Sequence, residues 1–302
     1  MNDFIESILI PTDASEGALA GAKHGVALAS QTDADVHVIS VVEEPTSVGI
    51  PDEDTIQSLE SAAQEALETV VEMVESVDER VSVTTAVEHG TPFQSIRAYA
   101  NRREIDVIVM GTKGRTGLDR MLLGSVTENV LRTARTPVLA VPPAVSGSGT
   151  EEISFERFLL PTDGSDGAQI AAEWGIALAD RLDAMIHSLF VVDTSPFAGT
   201  QSEEELFEAF EDQGQAAIDD VGDRARAAGV GVSGSIATGS PAKATLASAA
   251  DIDADLIIMG THGQTGIGQW FLGSVTENVV RQSPRPVFCV PVSAEAPNYS
   301  TN

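Results

Sequence analysis

The chain has 302 residues, with 46 Asp and Glu against 17 Lys and Arg and a net charge of −29. A surface this acidic, whose lysines are Lys23, Lys113 and Lys243, repels nucleic acid and anionic membrane, because both bind through clustered cations that displace counterions. The charge is shared, about −13 over residues 1–150 and about −16 over the rest, so it belongs to folded segments and reads as the surface of a protein in a salt-rich cytoplasm, where screening relieves self-repulsion.

The start, Met1-Asn-Asp-Phe-Ile-Glu6, lacks the basic stretch of a signal peptide, and no apolar run approaches a membrane span, so a cytoplasmic protein is expected. Ser7–Thr12 reads as a short apolar strand ending at Pro11, and Ser15–Ser30 as a helix rich in small residues. Asp35–Val42 is a β-branched strand. Thr55–Val77 is an amphipathic helix, with Ile56, Leu59, Ala63, Leu67, Val70 and Val74 at spacings of three and four. A strand follows at Val81–Val87, a helix opening on Pro at Pro92–Arg102, and a buried strand at Asp106–Met110. Ser125–Thr133 is a helix and Pro137–Val141 the last strand. The second half gives the same order, with its long helix near Glu203–Ala227. The single cysteine, Cys289, lies in the apolar run Pro286-Val-Phe-Cys-Val290 and reads as a buried, inert thiol.

The halves also match residue by residue. Ile8-Leu-Ile-Pro-Thr-Asp-Ala-Ser15 returns as Phe158-Leu-Leu-Pro-Thr-Asp-Gly-Ser165. Met110-Gly-Thr-Lys-Gly-Arg-Thr-Gly117 and Leu123-Gly-Ser-Val-Thr-Glu-Asn-Val130 return as Met259-Gly-Thr-His-Gly-Gln-Thr-Gly266 and Leu272-Gly-Ser-Val-Thr-Glu-Asn-Val279. Likeness at both ends of each half marks a duplicated domain. Residues 1–143 and 155–293 are the two expected domains, with 144–154 as linker and 294–302 as tail. Strands apolar throughout, alternating with helices, predict a parallel sheet covered on both faces: an α/β, doubly wound, five-stranded domain, twice. In such a sheet ligands bind outside the carboxyl ends of the strands, where both Pro-Thr-Asp turns and both glycine loops lie.

The loops read Gly-x2-Gly-x9-Gly-Ser and run from a strand to a helix start. Gly111, Gly114 and Gly117 let the backbone turn tightly and approach a ligand. Free N–H groups of Ser125, Val126 and Thr127, with the helix dipole, suit an anion such as phosphate. A plainer reading is that Ser125-x-x-Glu128 and Ser274-x-x-Glu277 are capping boxes. Asp13 and Asp163, just after a strand, suit a ribose hydroxyl, a metal held by phosphates, or a turn or helix cap, with Ser15 and Ser165 as rival caps.

Other patterns carry less. Gly229-Val-Gly-Val-Ser-Gly234 matches Gly-x-Gly-x-x-Gly but follows a helix and enters a strand, the reverse of a dinucleotide fingerprint. No Walker lysine motif occurs. His24, His37, His89, His187 and His262 show no metal-ligand spacing, and no general base stands out, so any ATP hydrolysis is expected to be slow.

Strand-Pro-Thr-Asp-x-Ser, the glycine loop, and Thr136-Pro-Val-Leu-Ala-Val-Pro142 with its counterpart Arg285-Pro-Val-Phe-Cys-Val-Pro291 together resemble the universal stress protein family over nearly the whole chain. The resemblance implies an adenine nucleotide α-hydrolase-like sheet of order 3-2-1-4-5 and ATP, or AMP or ADP, at each glycine loop, with Mg2+ or Mn2+ bridging phosphates. It places Asp13 near ribose, Val41 near adenine and Gly111, Gly114, Gly124, Ser125 and Val126 around the phosphates; with neighbouring Pro11, Thr12, Met110 and Thr127 and the loop cations Lys113 and Arg115, these are the expected nucleotide contacts. The second set is Pro161, Thr162, Asp163, Val191, Met259, Gly260, Gly263, Gly273, Ser274, Val275 and Thr276. It also implies pairing through the last strands into an internal pseudo-dimer, with further homo-oligomers open, and a role in stress response through nucleotide occupancy. A slow ATP-hydrolysing or nucleotidyl-transferring enzyme, or a nucleotide-free scaffold, are the rival readings. Lys113, Arg115 and Arg120 face aligned His262, Gln264 and Gln269, which predicts tighter ATP binding at the first loop.

Overall fold

The computed structural model describes residues 4–43, 53–114, 123–143, 153–193, 203–263 and 272–297, with backbone alone for 203–207. Its contacts divide the chain into two units, Ile5–Ile153 and Ser154–Asn302 with Met1–Phe4.

The first unit runs β1 (Ser7–Pro11), α1 (Glu16–Thr32), β2 (Asp35–Val42), α2 (Glu53–Val77), β3 (Val83–His89), α3 (Pro92–Arg102), β4 (Val107–Gly111), α4 (Ser125–Thr133) and β5 (Val138–Val141). Its strands pair in parallel in the order β3-β2-β1-β4-β5. The second unit repeats this with β6 (Arg157–Thr162), α5 (Asp166–Leu182), β7 (Met185–Val192), α6 (Glu203–Ala227), β8 (Val232–Thr238), α7 (Pro241–Asp251), β9 (Leu256–Gly260), α8 (Ser274–Gln282) and β10 (Val287–Val290). Their order is β8-β7-β6-β9-β10, again parallel. The doubly wound α/β fold expected from the alternation is therefore present in each half.

Burial explains the element types. The continuous apolar runs of β4, β5 and β10 are buried along their whole length. Helix α1 owes its close seat to small residues: Ala18, Ala20, Gly21, Ala22, Gly25 and Ala29 are all buried. A Cβ on Gly21 would stand 2.7 Å from the Gly111 nitrogen, and one on Gly25 2.7 Å from Ile10 Cδ1. The helix thus lies directly on β4 and β1. The chain leaves β1 toward β2 but β4 toward β5, so the crevice between β1 and β4 opens at their carboxyl ends.

Two expectations needed correction. The apolar stripe of α2 begins at Ala63, not at Ile56: Ala63, Ala66, Leu67, Val70 and Val74 are buried, while Ile56 and Leu59 are 38% and 40% exposed. Residues 53–62 are exposed throughout, so periodicity continued past the point where there is sheet to cover. Strand β3 starts at Val83 rather than Val81 because its register is set by β2, from Val36 opposite Val83 to Val42 opposite His89. Among the described residues no helix is long and apolar enough to cross a membrane.

Candidate functional site

The site in the first unit is built at the exits of β1 and β4. Beyond β1, the Thr12 N–H donates to the Ile39 carbonyl at 2.8 Å, tying the Pro11-Thr12-Asp13 turn to β2 and hence near the end that carries Val41. The turn is held by side chains acting on its own backbone. Thr12 Oγ1 accepts from the Ala14 N–H at 3.2 Å, Asp13 Oδ1 accepts from the Ser15 N–H at 3.0 Å, and Ala14 takes the left-handed φ of 59°. Ser15 then caps α1, its Oγ accepting from the Ala18 N–H. Asp13 therefore leaves helix capping to Ser15.

Beyond β4, the glycine loop is closed at its base. Thr112 N–H donates to the Val141 carbonyl at 2.7 Å, and Gly124 N–H donates to the Thr112 carbonyl at 2.8 Å, so both ends of the loop meet. Gly124, with φ −62° and ψ 137°, is the N-cap of α4, and among the described residues no side-chain cap is seen there. This overturns the capping-box reading: Ser125 is the first helical residue and exposed, and Glu128 instead holds Arg132 at 2.9 Å. The first turn of α4 thus presents main-chain N–H groups that no side-chain cap consumes, with the positive end of the helix dipole behind them. The Thr127 hydroxyl is committed elsewhere, donating to the Gly111 carbonyl at 2.7 Å while buried. Only its main chain remains for a ligand. Asp13 and Gly114 come together, a Cβ on Gly114 standing 3.6 Å from Asp13 Oδ2. Met110 and Gly111 are buried and Lys113 half-buried, while Arg115, Gly117 and Arg120 lie outside the described residues.

The second unit repeats the arrangement. Gly273 N–H donates to the Thr261 carbonyl at 2.8 Å, Thr261 N–H to Val290 at 2.9 Å, and α8 begins at Ser274 behind an N-cap Gly273 without a side-chain cap. Thr276 donates to the Gly260 carbonyl at 2.7 Å, and Val275 occupies the place of Val126. Asp163 Oδ1 accepts from Ser165 N–H at 3.0 Å and also from the Ser165 hydroxyl at 2.5 Å; Pro161 and Thr162 end β6 before it, and Val191 stands near the end of β7. Gly263 is closer to its aspartate than Gly114 is, at 2.6 Å from a built Cβ to Asp163 Oδ2. Met259 and Gly260 close β9. Gln264, Gly266 and Gln269 lie outside the described residues.

Two folds of one design, each with a strand–loop–helix cradle, can be compared with known proteins. The profile of the universal stress protein family matches residues 5–142 and again 154–291. The chain belongs to this family. A universal stress protein of Methanocaldococcus jannaschii is 41% identical over 140 residues, covering 45% of this chain and 81% of that protein. One of Mycolicibacterium smegmatis is 26% identical over 296 residues, covering 94% and 96%. The crystal structure of a universal stress protein from Archaeoglobus fulgidus superposes with a TM-score of 0.70 at 25% identity, over 95% of this chain and 97% of that one.

In this tandem universal stress protein, sequence reasoning missed the residue that seats each loop. A Cβ on Gly17 of α1 would run into the Lys113 carbonyl, and one on Gly111 into the Gly17 carbonyl; Gly167 meets the His262 carbonyl in the same way. The signal was available, since glycine stands second in both α1 and α5 at the matching offset. The Gly229–Gly234 decoy is structural: Gly229 takes φ 79° after α6, and a Cβ on Gly234 would strike Ile218. The histidines are dispersed. His24 Nδ1 bonds the Ala20 carbonyl at 3.0 Å, His37 the Tyr99 hydroxyl at 3.0 Å, and His187 the hydroxyls of Ser233 and Ser235. Burial lowers the pKa of all three below the ordinary imidazole value, and burial pushes the Cys289 thiol well up, which keeps it protonated and unreactive. Among the described residues no group of three or more His, Cys, Asp or Glu is placed to hold a metal ion.

Proposed function

We propose that each unit binds an adenine nucleotide at its strand–loop–helix cradle, and that nucleotide occupancy governs the protein's part in the stress response. The observation that carries this reading is the loop base. In both copies a glycine N–H closes the loop at 2.8 Å and the same glycine starts a helix without a side-chain cap, so the N–H groups of Ser125, Val126 and Thr127, and of Ser274, Val275 and Thr276, are offered to phosphate. The second oxygens of Asp13 and Asp163, beside Gly114 and Gly263, are acceptors suited to a ribose hydroxyl, and Val41 and Val191 stand at the neighbouring strand end for the base. A divalent ion would ride on the phosphates. It would neutralise part of their charge, which is useful at a surface of net charge −29.

Mass spectrometry of nucleotide released from protein purified in high salt, followed by titration of ATP into the wild type, tests this. Gly114→Val and Gly263→Val put an isopropyl group beside the aspartate, and each should abolish one of two binding events. Binding with a stoichiometry of two that survives both substitutions together would refute the assignment.

A further inference from the structure

Among the described residues, the two cradles share their main chain and differ in the residue after the strand-end threonine, Lys113 in one and His262 in the other. His262 sits within the cradle by its backbone. Its carbonyl meets Gly167 of α5, its Cα lies 3.8 Å from a Cβ built on Gly273 at the start of α8, and the next residue, Gly263, abuts Asp163. Its Nδ1 is 3.0 Å from the Thr261 hydroxyl, and Thr261 is buried. Its Nε2 is buried and has no hydrogen-bond partner among the described residues. Buried polar atoms in folded proteins are almost always paired, so an orphan nitrogen at the mouth of a strand marks a place for a missing acceptor.

We infer that His262 Nε2 donates to phosphate in the second cradle, so that this cradle's affinity follows the protonation of an imidazole whereas the first, carrying a lysine, does not. The inference rests on the nucleotide reading above and concerns its regulation. With the Thr261 hydroxyl donating to Nδ1, neutral His262 already presents Nε2–H to an anion. Protonation turns that contact into a charge-assisted one, which is shorter and roughly twice as strong. Lysine keeps its charge throughout the neutral range, while imidazole changes charge within it. The charged groups of the described residues where the surrounding elements meet this segment are Asp163 beside Gly263 in the β6–α5 turn, Asp166 next to Gly167 in the first turn of α5, and Glu277, paired with Arg281, in the first turn of α8. An arriving phosphate adds negative charge, so binding takes up a proton and the second cradle tightens as pH falls.

Calorimetric titration of ATP into full-length Gly114→Val isolates the second cradle, and into Gly263→Val the first. ATP's own phosphate ionisation, near pH 6 to 7, acts on both arms and cancels in their ratio. From pH 6 to pH 8 the second-to-first affinity ratio should fall by about fivefold or more, within the tenfold per unit that one proton allows. His262→Gln in the Gly114→Val background should make that ratio independent of pH at the weaker level, and His262→Lys should make it so at the stronger one. A pH-independent ratio, a slope that survives His262→Gln, or ATP binding at the first cradle with none at the second would overturn the inference and leave nucleotide binding standing. No ATP binding at either cradle at any pH would sink both.

Discussion

Gly17→Ala offers the sharpest test of how the cradle is seated, because two effects of the same methyl group have opposite signs. Gly17 is the second residue of α1, where alanine in place of glycine should stabilise the helix by about 0.5–1 kcal/mol. The methyl group, however, would run into the Lys113 carbonyl oxygen and lie 2.8 Å from its carbon. Unstrained carbon pairs sit at about 3.5–4.0 Å, so helix and loop must separate by roughly 0.7–1.2 Å. Both partners are backbone, and neither can rotate away. Overpacking of this kind costs about 1–3 kcal/mol, which leaves a net loss of up to about 2.5 kcal/mol, or up to roughly 10 °C in the melting of a unit this size. The displaced Lys113 carbonyl belongs to the first cradle, so ATP affinity there should drop about tenfold or more while the second cradle is untouched. Gly231→Ala, whose Cβ would meet Met185 at an ordinary 3.5 Å, is the control. Differential scanning calorimetry with titration of each cradle decides the matter. A Gly17→Ala protein that melts higher, with first-cradle affinity unchanged, would show that helix propensity wins and that the close seat is not needed.

Thr127→Val and Thr276→Val keep shape but leave the Gly111 or Gly260 carbonyl without its 2.7 Å donor, and each should cost about 1–2 kcal/mol in denaturant melts; no change would mean that the loop base is held without it. Because burial lowers the folded-state pKa of His24, His37 and His187, the unfolded chain takes up protons first, so stability is complete above about pH 7 and declines toward pH 5. His24→Gln should shrink that decline, and a urea midpoint flat or rising from pH 7 to 5 would contradict the sign. Asp78, held down to about 2 by Arg80, loses its contribution only as pH falls through roughly 4 to 2, a separate window. Phe190→Ala should cost about 3–5 kcal/mol, read as a loss in the second unit alone, because the ring is buried with Val192 and Ile218. With a net charge of −29, melting temperature should rise between 0.1 and 3 M KCl; a fall would remove the salt-adapted reading of the surface.

The fold was legible because its signals are local. Pro92 at the start of α3, the apolar run of β4 and the repeat itself fix element type and order without knowledge of neighbours. The site was legible in its residues but less so in their roles. Whether Ser125 or Gly124 caps α4 depends on where the loop closes, and that is decided by the Thr112 carbonyl on another element. That the Thr127 hydroxyl donates to the Gly111 carbonyl, 16 residues earlier on another element, is a contact that no local pattern announces. Ile56 and Leu59 kept a helical spacing that says nothing about where the sheet ends. Each error concerns a contact between elements, which periodicity and local propensity do not encode.

The two units serve as controls for each other, and their differences fall on side chains. Ser40 stands where Phe190 does, Gln64 where Gly214 makes room for that ring, and a Cβ on Gly214 would lie 2.6 Å from it. His37 bonds Tyr99, whose counterpart is Ser248, while its own counterpart His187 turns to Ser233 and Ser235. None of these exchanges touches the hydrogen bond that closes each loop or the glycine that starts each following helix, which agree between the units in partners and length. Main-chain donors impose no side-chain identity apart from glycine at close approaches, so a cradle made of them tolerates drift around it. Among the described residues Lys113 and His262 are the exception, since both stand at the cradle itself and differ in chemistry. The difference between the copies is then expected in how strongly, and at what pH, each holds its ligand, and the kind of ligand is expected to be the same.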